Sequence, residues 1–184
     1  EEFDIHGGGL ENQFPHHECE IAQSRAATGK GFARYWLHNN MIERDGRKMS
    51  KSLGNGILIK DLLKQFDAPV IRTFLLGAHY RSTANYTDEG IKSAQAGLSR
   101  VHQAWKTALD RGRGAGDPGA GDAVLKAARE ACDRAFHAAM DDDFNTPMAL
   151  ATVFELAKQI NGVATGTASA SAAEWKAAGD LMRE

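Results

Sequence analysis

The second half of the chain has the apolar spacing of helices. From Ile91 to Leu109, apolar residues recur at every third or fourth position, which predicts an amphipathic helix. Thr87 offers a hydroxyl cap in front of this helix, and acidic residues follow in its first turn. Further helices are predicted at residues 124–140, 146–160 and 172–183. Together these segments predict an α-helical bundle over residues 87–184.

The first part of the chain has a different pattern. Phe3 and Ile5 alternate with polar residues and are followed by three glycines, which predicts a strand that ends where the backbone approaches another group. A tight turn that needs no ligand is the alternative. Pro15 is typical of the first turn of a helix, and a second short strand is predicted at 31–38. Residues 57–76 read as two short helices broken by a proline.

Composition narrows the class of protein. The 184 residues, 42% of them apolar, suffice for one ordinary domain or two small ones. The formal net charge of −2 gives no global basic field, so any contact with nucleic acid must come from local patches. Cys19 and Cys132 lie far apart in the sequence, which suits a reducing cytosol, and no apolar run approaches a membrane span. The chain starts without Met inside a strand-like stretch, which predicts a piece of a longer protein.

The segment Lys48-Met49-Ser50-Lys51-Ser52 places two lysines three residues apart among small residues. Bounded by glycines at 46 and 54, it predicts a loop that can direct both ammonium groups at a triphosphate. The serine hydroxyls and the free backbone N–H groups of such a loop add donors for phosphate oxygens. A solvated basic turn without a ligand is the alternative interpretation.

A second candidate site lies on the predicted helix that follows Pro15. His16 and Glu20 are four residues apart, so they share one face and can hold a cation between imidazole and carboxylate. Zinc accepts these ligand types and usually takes four, so the remaining ligands would come from elsewhere. A polar helix start whose His and Glu pair with each other or face water is the alternative.

These motifs occur together in one order. Three glycines precede Phe-Pro-His-His-Glu-Cys-Glu-Ile-Ala-Gln-Ser, and Lys-Met-Ser-Lys-Ser-Leu-Gly-Asn follows. The combination resembles cysteinyl-tRNA synthetases, which belong to the class I aminoacyl-tRNA synthetases. The resemblance implies an α/β fold: the second half of a Rossmann-like catalytic domain over residues 1–58, a connecting helical element over 59–86 and the α-helical bundle over 87–184.

The resemblance also implies a role for each candidate residue. Lys48 and Lys51 would be catalytic, and the residues expected to contact ATP are Lys51, Ser50, His6 and Gly8. His16 and Glu20 would be two of four zinc ligands, and both cysteine ligands would lie outside this chain. The implied reaction activates cysteine with ATP and Mg²⁺ and then transfers it to tRNA(Cys). The implied enzyme is a monomer in the cytoplasm.

The sequence also departs from the family pattern. Cys19 stands where the family more often has asparagine, and Glu11 stands in for a more frequent aspartate. The His-Ile-Gly-His motif, two zinc cysteines and an anticodon-reading domain are missing, so we expect no pyrophosphate exchange from these residues alone. Two other functions remain open: a ligase that joins activated cysteine to an amino sugar, and a non-catalytic helical binding module.

Overall fold

The structure is a computed structural model that describes residues 2–50, 53–114 and 116–183. Its contacts divide the chain into two compact units. The first contains residues 1–58 and 78–87, and the second contains residues 59–77 and 88–184. The segment 59–86, which the sequence assigns to one connecting element, is thus shared between the two units. None of the described helices is both long enough and apolar enough to cross a bilayer.

The first unit is built on five short strands and one helix. The strands are β1 (Phe3–Gly9), β2 (Ala33–Asn39), β3 (Ile42–Arg44), β4 (Arg47–Lys48) and β5 (Ala84–Tyr86). The helix α1 (Glu18–Thr28) connects β1 to β2. β1 and β2 are parallel, whereas β3 lies between an antiparallel β4 and a parallel β5. A parallel pair joined by a helix is the unit from which Rossmann-like folds are built, as the sequence predicts.

The turn between β1 and α1 is irregular. A 3₁₀ turn (Leu10–Asn12) is followed by a π-helical turn (Gln13–His17), inside which Phe14 has extended backbone angles. At its other end α1 stops at Gly29, whose φ of 68° is in the left-handed region that favours glycine. The helix therefore begins three residues later than Pro15, where the sequence predicts it.

The second unit is α-helical. It contains α2 (Ile59–Leu62), α3 (Ala68–Leu76), α4 (Asp88–Gly112), α5 (Ala120–Asp141), α6 (Thr146–Thr165) and α7 (Ala172–Leu181). The last four form the predicted bundle, because their apolar stripes meet in one core. The largest side chains that are fully buried are Trp175, Ile91, Leu125, Leu156 and Ile160.

Some boundaries differ from the prediction for local reasons. The sequence also predicts Thr146 as the cap of α6, but the capping residue is Asn145, whose side chain accepts a hydrogen bond from the Met148 N–H. The two short helices are present as α2 and α3, and Pro69, which the sequence places at the break between them, lies in the first turn of α3. The backbone N–H groups in the first turn of a helix have no acceptor within the helix, so proline, which lacks this N–H, is tolerated there.

An aspartate ties the start of α5 to the start of α7. Oδ1 of Asp122 accepts a hydrogen bond from the Ser171 backbone N–H at 2.6 Å, and Oδ2 accepts one from the Gly119 N–H at 3.2 Å. These bonds, led by the one from Ser171, hold the pKa of the Asp122 carboxyl below its usual value.

We expect Asp122 to make the stability of the second unit depend on pH. Its folded-state pKa is lower than its unfolded-state pKa, so the stabilisation is present above the unfolded value, about 3.9, and is lost as the pH falls through the folded value. Asp122→Asn should therefore lower the free energy of unfolding at neutral pH and change it little at strongly acidic pH. Urea unfolding at both pH values measures this, with the exposed Asp117→Asn as control. An equal loss at both pH values would contradict the assignment.

Candidate functional site

The candidate site starts from the register of β1 and β2. His6 is paired with Trp36, and Gly8 is paired with His38. Residues two apart on a strand share a face, so His6, Trp36 and His38 lie on the same side of the parallel pair. Gly8 leaves a gap on that face, and the ring of His17 fills it. A Cβ atom on residue 8 would be 2.9 Å from Cε1 and 3.0 Å from Nε2 of His17.

The result is a cluster of imidazole and aromatic rings. The ring of His6 lies 4.9 Å from both His17 and Trp36, measured between centroids. Nδ1 of His17 and Nε2 of His38 are 2.8 Å apart, so one of the two nitrogens donates a hydrogen bond to the other. His17 is the buried polar residue of this cluster, with 6% of its surface exposed.

Glu20 on α1 completes the cluster. Its Oε2 forms an ion pair with Nε2 of His6 at 2.9 Å, and this buried oxygen has no hydrogen-bond partner. One ligand atom each from His6, His17 and Glu20 lie within 4.8 Å of one another. Imidazole nitrogen and carboxylate oxygen are ligands that zinc accepts, and the unpartnered oxygen is where a cation would bind. The residues present therefore fit a zinc ion.

His38 contacts this cluster through His17. Burial lowers the pKa of its imidazole, which favours the neutral ring. The charges of three neighbours lower the pKa of His38 further, namely those of His17, Arg81 and His6. Nε2 of a neutral His38 can accept a hydrogen bond from Nδ1–H of His17, which leaves Nε2 of His17 without a proton and able to bind a ligand.

The structure brings Glu20 together with His17 and His6, and places His16 differently. His16 is exposed and is not part of the cluster. The reason is the π-helical turn before α1, which changes the phase between residue 16 and the helix. His17 is three residues before Glu20, and residues three apart also share a helix face. That spacing is the signal that points to His17. The role of His16 as a zinc ligand remains a prediction.

The first lysine of the loop lies beside an open cavity. Lys48, at the end of β4, is exposed and lines a cavity of about 490 Å³ together with Gly9 and Asn39. Gly9 and Asn39 are the last residues of β1 and β2, and ligands of parallel sheets bind outside the carboxyl ends of the strands. Lys51 and Ser52 lie outside the described residues.

An asparagine that the motif analysis did not select holds this loop. The side chain of Asn55 donates to the carbonyl oxygen of Lys48 at 3.1 Å and accepts from the Ser50 N–H at 3.0 Å. The Ser50 hydroxyl accepts a hydrogen bond from the Leu53 N–H at 3.3 Å. Asn55 thus fixes the backbone on the N-terminal side of Lys51.

The other residues predicted to bind ATP lie on β1. His6 is half-buried in the ring cluster next to Glu20, and Gly8 is covered by His17. The sequence predicts that another group approaches the glycine backbone closely. At Gly8 this group is the ring of His17, a residue of the same chain. Contact of His6 and Gly8 with a nucleotide remains a prediction.

The chain is similar to curated bacterial proteins over most of its length. It is 48% identical over 167 residues to a cysteine–tRNA ligase of Dichelobacter nodosus, a match that covers 91% of this chain and 34% of the relative. It is 50% identical over 165 residues to a cysteine–tRNA ligase of Geobacter sulfurreducens, covering 89% of this chain and 34% of that protein. The chain thus spans about a third of the length of the curated relatives it matches.

Solved structures of synthetases share the fold. One is LeuRS of Agrobacterium radiobacter, whose crystal structure is a ternary complex with tRNA and LeuAMS. It has a TM-score of 0.78 at 20% identity, and the match covers 97% of this chain and 25% of that one. The methionyl-tRNA synthetase of Mycobacterium tuberculosis, in complex with methionyl-adenylate, has a TM-score of 0.70 at 18% identity, over 97% and 38% of the two chains. At these identities the similarity shows the fold alone, and it confirms the predicted fold class, an α/β domain followed by a helical bundle.

Two family profiles match the sequence. The profile of the DALR domain matches residues 135–184, within the helical bundle. The profile described as "tRNA synthetases class I (C) catalytic domain" matches residues 1–96, more than half of the chain, and includes both the ring cluster and the lysine loop. The chain therefore belongs to the class I (C) tRNA synthetase family.

Proposed function

We propose that the chain is part of an enzyme that activates cysteine with ATP and ligates it to tRNA(Cys). The observation that carries the proposal is the position of two consecutive glycines. Gly8 contacts the ring of His17 in the cluster with Glu20, and Gly9 lines the cavity of Lys48. The sites proposed for the substrate side chain and for the nucleotide therefore adjoin within the first unit, as a reaction between amino acid and ATP requires.

The lysines act on the charge of the phosphates. In the first step the carboxylate oxygen of cysteine attacks the α-phosphorus of ATP, the bond from that phosphorus to the β-phosphate bridge breaks, and pyrophosphate leaves with Mg²⁺. Negative charge grows on the leaving pyrophosphate, and ammonium groups directed at it stabilise the transition state more than the ground state. Lys51 is the stronger candidate for this contact. Lys48 is one of the residues that line the cavity.

The second part of the proposal concerns the choice of amino acid. A bound zinc ion would lower the pKa of the cysteine thiol and bind the thiolate, a bond that serine cannot form. Glu20 belongs both to the pair that the sequence predicts, with His16, and to the structural cluster. Its buried, unpartnered oxygen supports its role as a ligand. The enzyme proposed here is monomeric and cytoplasmic; its two free cysteines suit a reducing cytosol.

A chimera tests the proposed function. These 184 residues replace the matched third of the Geobacter sulfurreducens relative, to which they are 50% identical. We expect the chimera to exchange pyrophosphate into ATP only when cysteine is present, and to charge tRNA(Cys). Serine serves as the control amino acid, and an amino sugar serves as the competing acceptor. Product on the amino sugar alone, or exchange driven by serine equally well, would contradict the proposal.

A further inference from the structure

We infer that Asn55 is a positioning residue for Lys48. Its side-chain amide fixes the backbone of residues 48–50, and this backbone sets where the Lys48 side chain starts beside the cavity. The inference rests on the proposed function, in which Lys48 acts on the phosphates of ATP. Asn55 acts through the lysine and has no contact of its own with ATP in this role.

The Asn55 amide makes two hydrogen bonds to one short stretch of backbone. Nδ2 donates to the carbonyl oxygen of Lys48 at 3.1 Å, and Oδ1 accepts from the N–H of Ser50 at 3.0 Å. These two backbone groups lie on either side of Met49. In a parallel ladder a residue bonds in the same way, to the carbonyl before its partner and to the N–H after it. The side chain thus takes the place of a neighbouring strand beside Met49.

The amide acts where the regular ladder stops. The pairing of β3 with β4 ends at the pair Glu43 and Lys48. Lys48 and Met49 both line the cavity, so the backbone that Asn55 holds belongs to the cavity wall. Two hydrogen bonds from one side chain restrict the φ and ψ angles between Lys48 and Ser50. They therefore restrict the directions in which the Lys48 ammonium group can extend.

The chain returns to Lys48 through a tight turn. Gly54 has a φ of 60°, in the left-handed region that favours glycine, and Asn55 follows it directly. The Leu53 N–H donates to the Ser50 hydroxyl at 3.3 Å within the same turn. Asparagine suits the position because its amide has both a donor and an acceptor, whereas an aspartate carboxylate only accepts.

A positioning role and a structural role of Asn55 predict different kinetics. If Asn55 only stabilised the loop, its loss would lower the free energy of unfolding and leave the turnover of the folded enzyme unchanged. If Asn55 positions Lys48, its loss leaves the ammonium group present but spread over more directions. A displacement of about 1 Å can cost 10²-fold in rate. The loss should appear in kcat more than in the KM for ATP, since the contact with phosphate is stronger in the transition state.

Cysteine-dependent pyrophosphate exchange by the chimera tests the inference. Asn55→Ala should lower kcat about 10–100-fold and change the KM for ATP by less than about threefold. Asn145→Ala is the matched control, because the Asn145 side chain also accepts a hydrogen bond from a backbone N–H, at the start of α6 in the second unit. This control should leave both constants unchanged. Circular dichroism shows whether each variant folds. If Asn55→Ala does not fold, Asn55→Asp replaces it, since aspartate keeps the size and the acceptor but cannot donate to Lys48.

A double-mutant cycle shows whether Asn55 acts through Lys48. In a chimera that already carries Lys48→Ala, Asn55→Ala should lower kcat by no more than about threefold, because the ammonium group to be positioned is absent. The inference is overturned, with the proposed function intact, if Asn55→Ala costs the same factor with and without Lys48. It is also overturned if Asn55→Ala exchanges as well as Asn145→Ala does. An unaltered chimera without exchange would instead overturn the proposed function, and the inference with it.

Discussion

Replacement of Lys51 by Ala should lower cysteine-dependent pyrophosphate exchange by the chimera about 10²–10³-fold, the range observed when one group that stabilises transition-state charge is removed. The reason is the role proposed for Lys51, whose ammonium group would meet the charge that grows on the β- and γ-phosphates. Lys48→Ala should reduce exchange less, because the resemblance assigns the main ATP contact to the second lysine of the loop, whereas Lys48 lines the cavity. Both effects should be seen mainly in kcat, since the interaction is stronger in the transition state than in the bound substrate.

The control separates loss of a specific ammonium group from loss of charge in general. Lys60 on α2 is exposed and lies outside the loop, so Lys60→Ala should leave exchange unchanged. Steady-state exchange assays at several ATP concentrations distinguish kcat from KM. Unchanged exchange by Lys51→Ala would favour the non-catalytic helical module, in which the lysine loop has no chemical role.

The helices of the bundle could be predicted because their signal is local. An apolar stripe at a spacing of three and four residues predicts both the helix and the face that it buries. Ile91, which begins the predicted stripe on α4, is fully buried, and so are Ala108 next to the stripe and Ile160 on α6. Cys132 on α5 is also buried, with its Sγ 3.7 Å from Oγ1 of Thr152.

The composition of the ring cluster could not be predicted in the same way. The helical wheel that pairs His16 with Glu20 assumes a regular helix from Pro15 onward, whereas residues 13–17 form a π-helical turn. The position of His38 depends on the register of β1 with β2, which brings together residues 30 apart in the sequence. Resemblance identified the motif, but its geometry follows from an irregular turn and a strand pairing.

The connecting segment shows the same limit. Residues 84–86 form β5, which pairs with β3 in the first unit, although the sequence places them in a helical connection. A strand of three residues has too few positions to show an alternating pattern. Its existence depends on the partner strand, so it can be found only once the fold is known.

Replacement of Trp175 by Ala should have the largest effect on the stability of the second unit. Trp175 is 2% exposed and lies in the core cluster of the bundle. The guanidinium of Arg111 packs over its ring, 5.2 Å from the ring centroid. Removing a buried aromatic side chain costs about 3–5 kcal/mol of unfolding free energy, since the cavity closes only in part. Some loss of cation–π attraction adds to this. For a chain of this size that corresponds to a fall in Tm of roughly 6–20 °C.

Urea unfolding followed by far-ultraviolet circular dichroism measures the effect, because most helical residues belong to the second unit. Met148→Ala on α6 is the control: its side chain is also apolar but is 58% exposed, so the change should stay within about 0.5 kcal/mol. The difference between the two variants isolates burial from the loss of apolar atoms as such. Equal losses would mean that Trp175 is not a core residue, and that α7 does not pack on α4 and α5 as the structure shows.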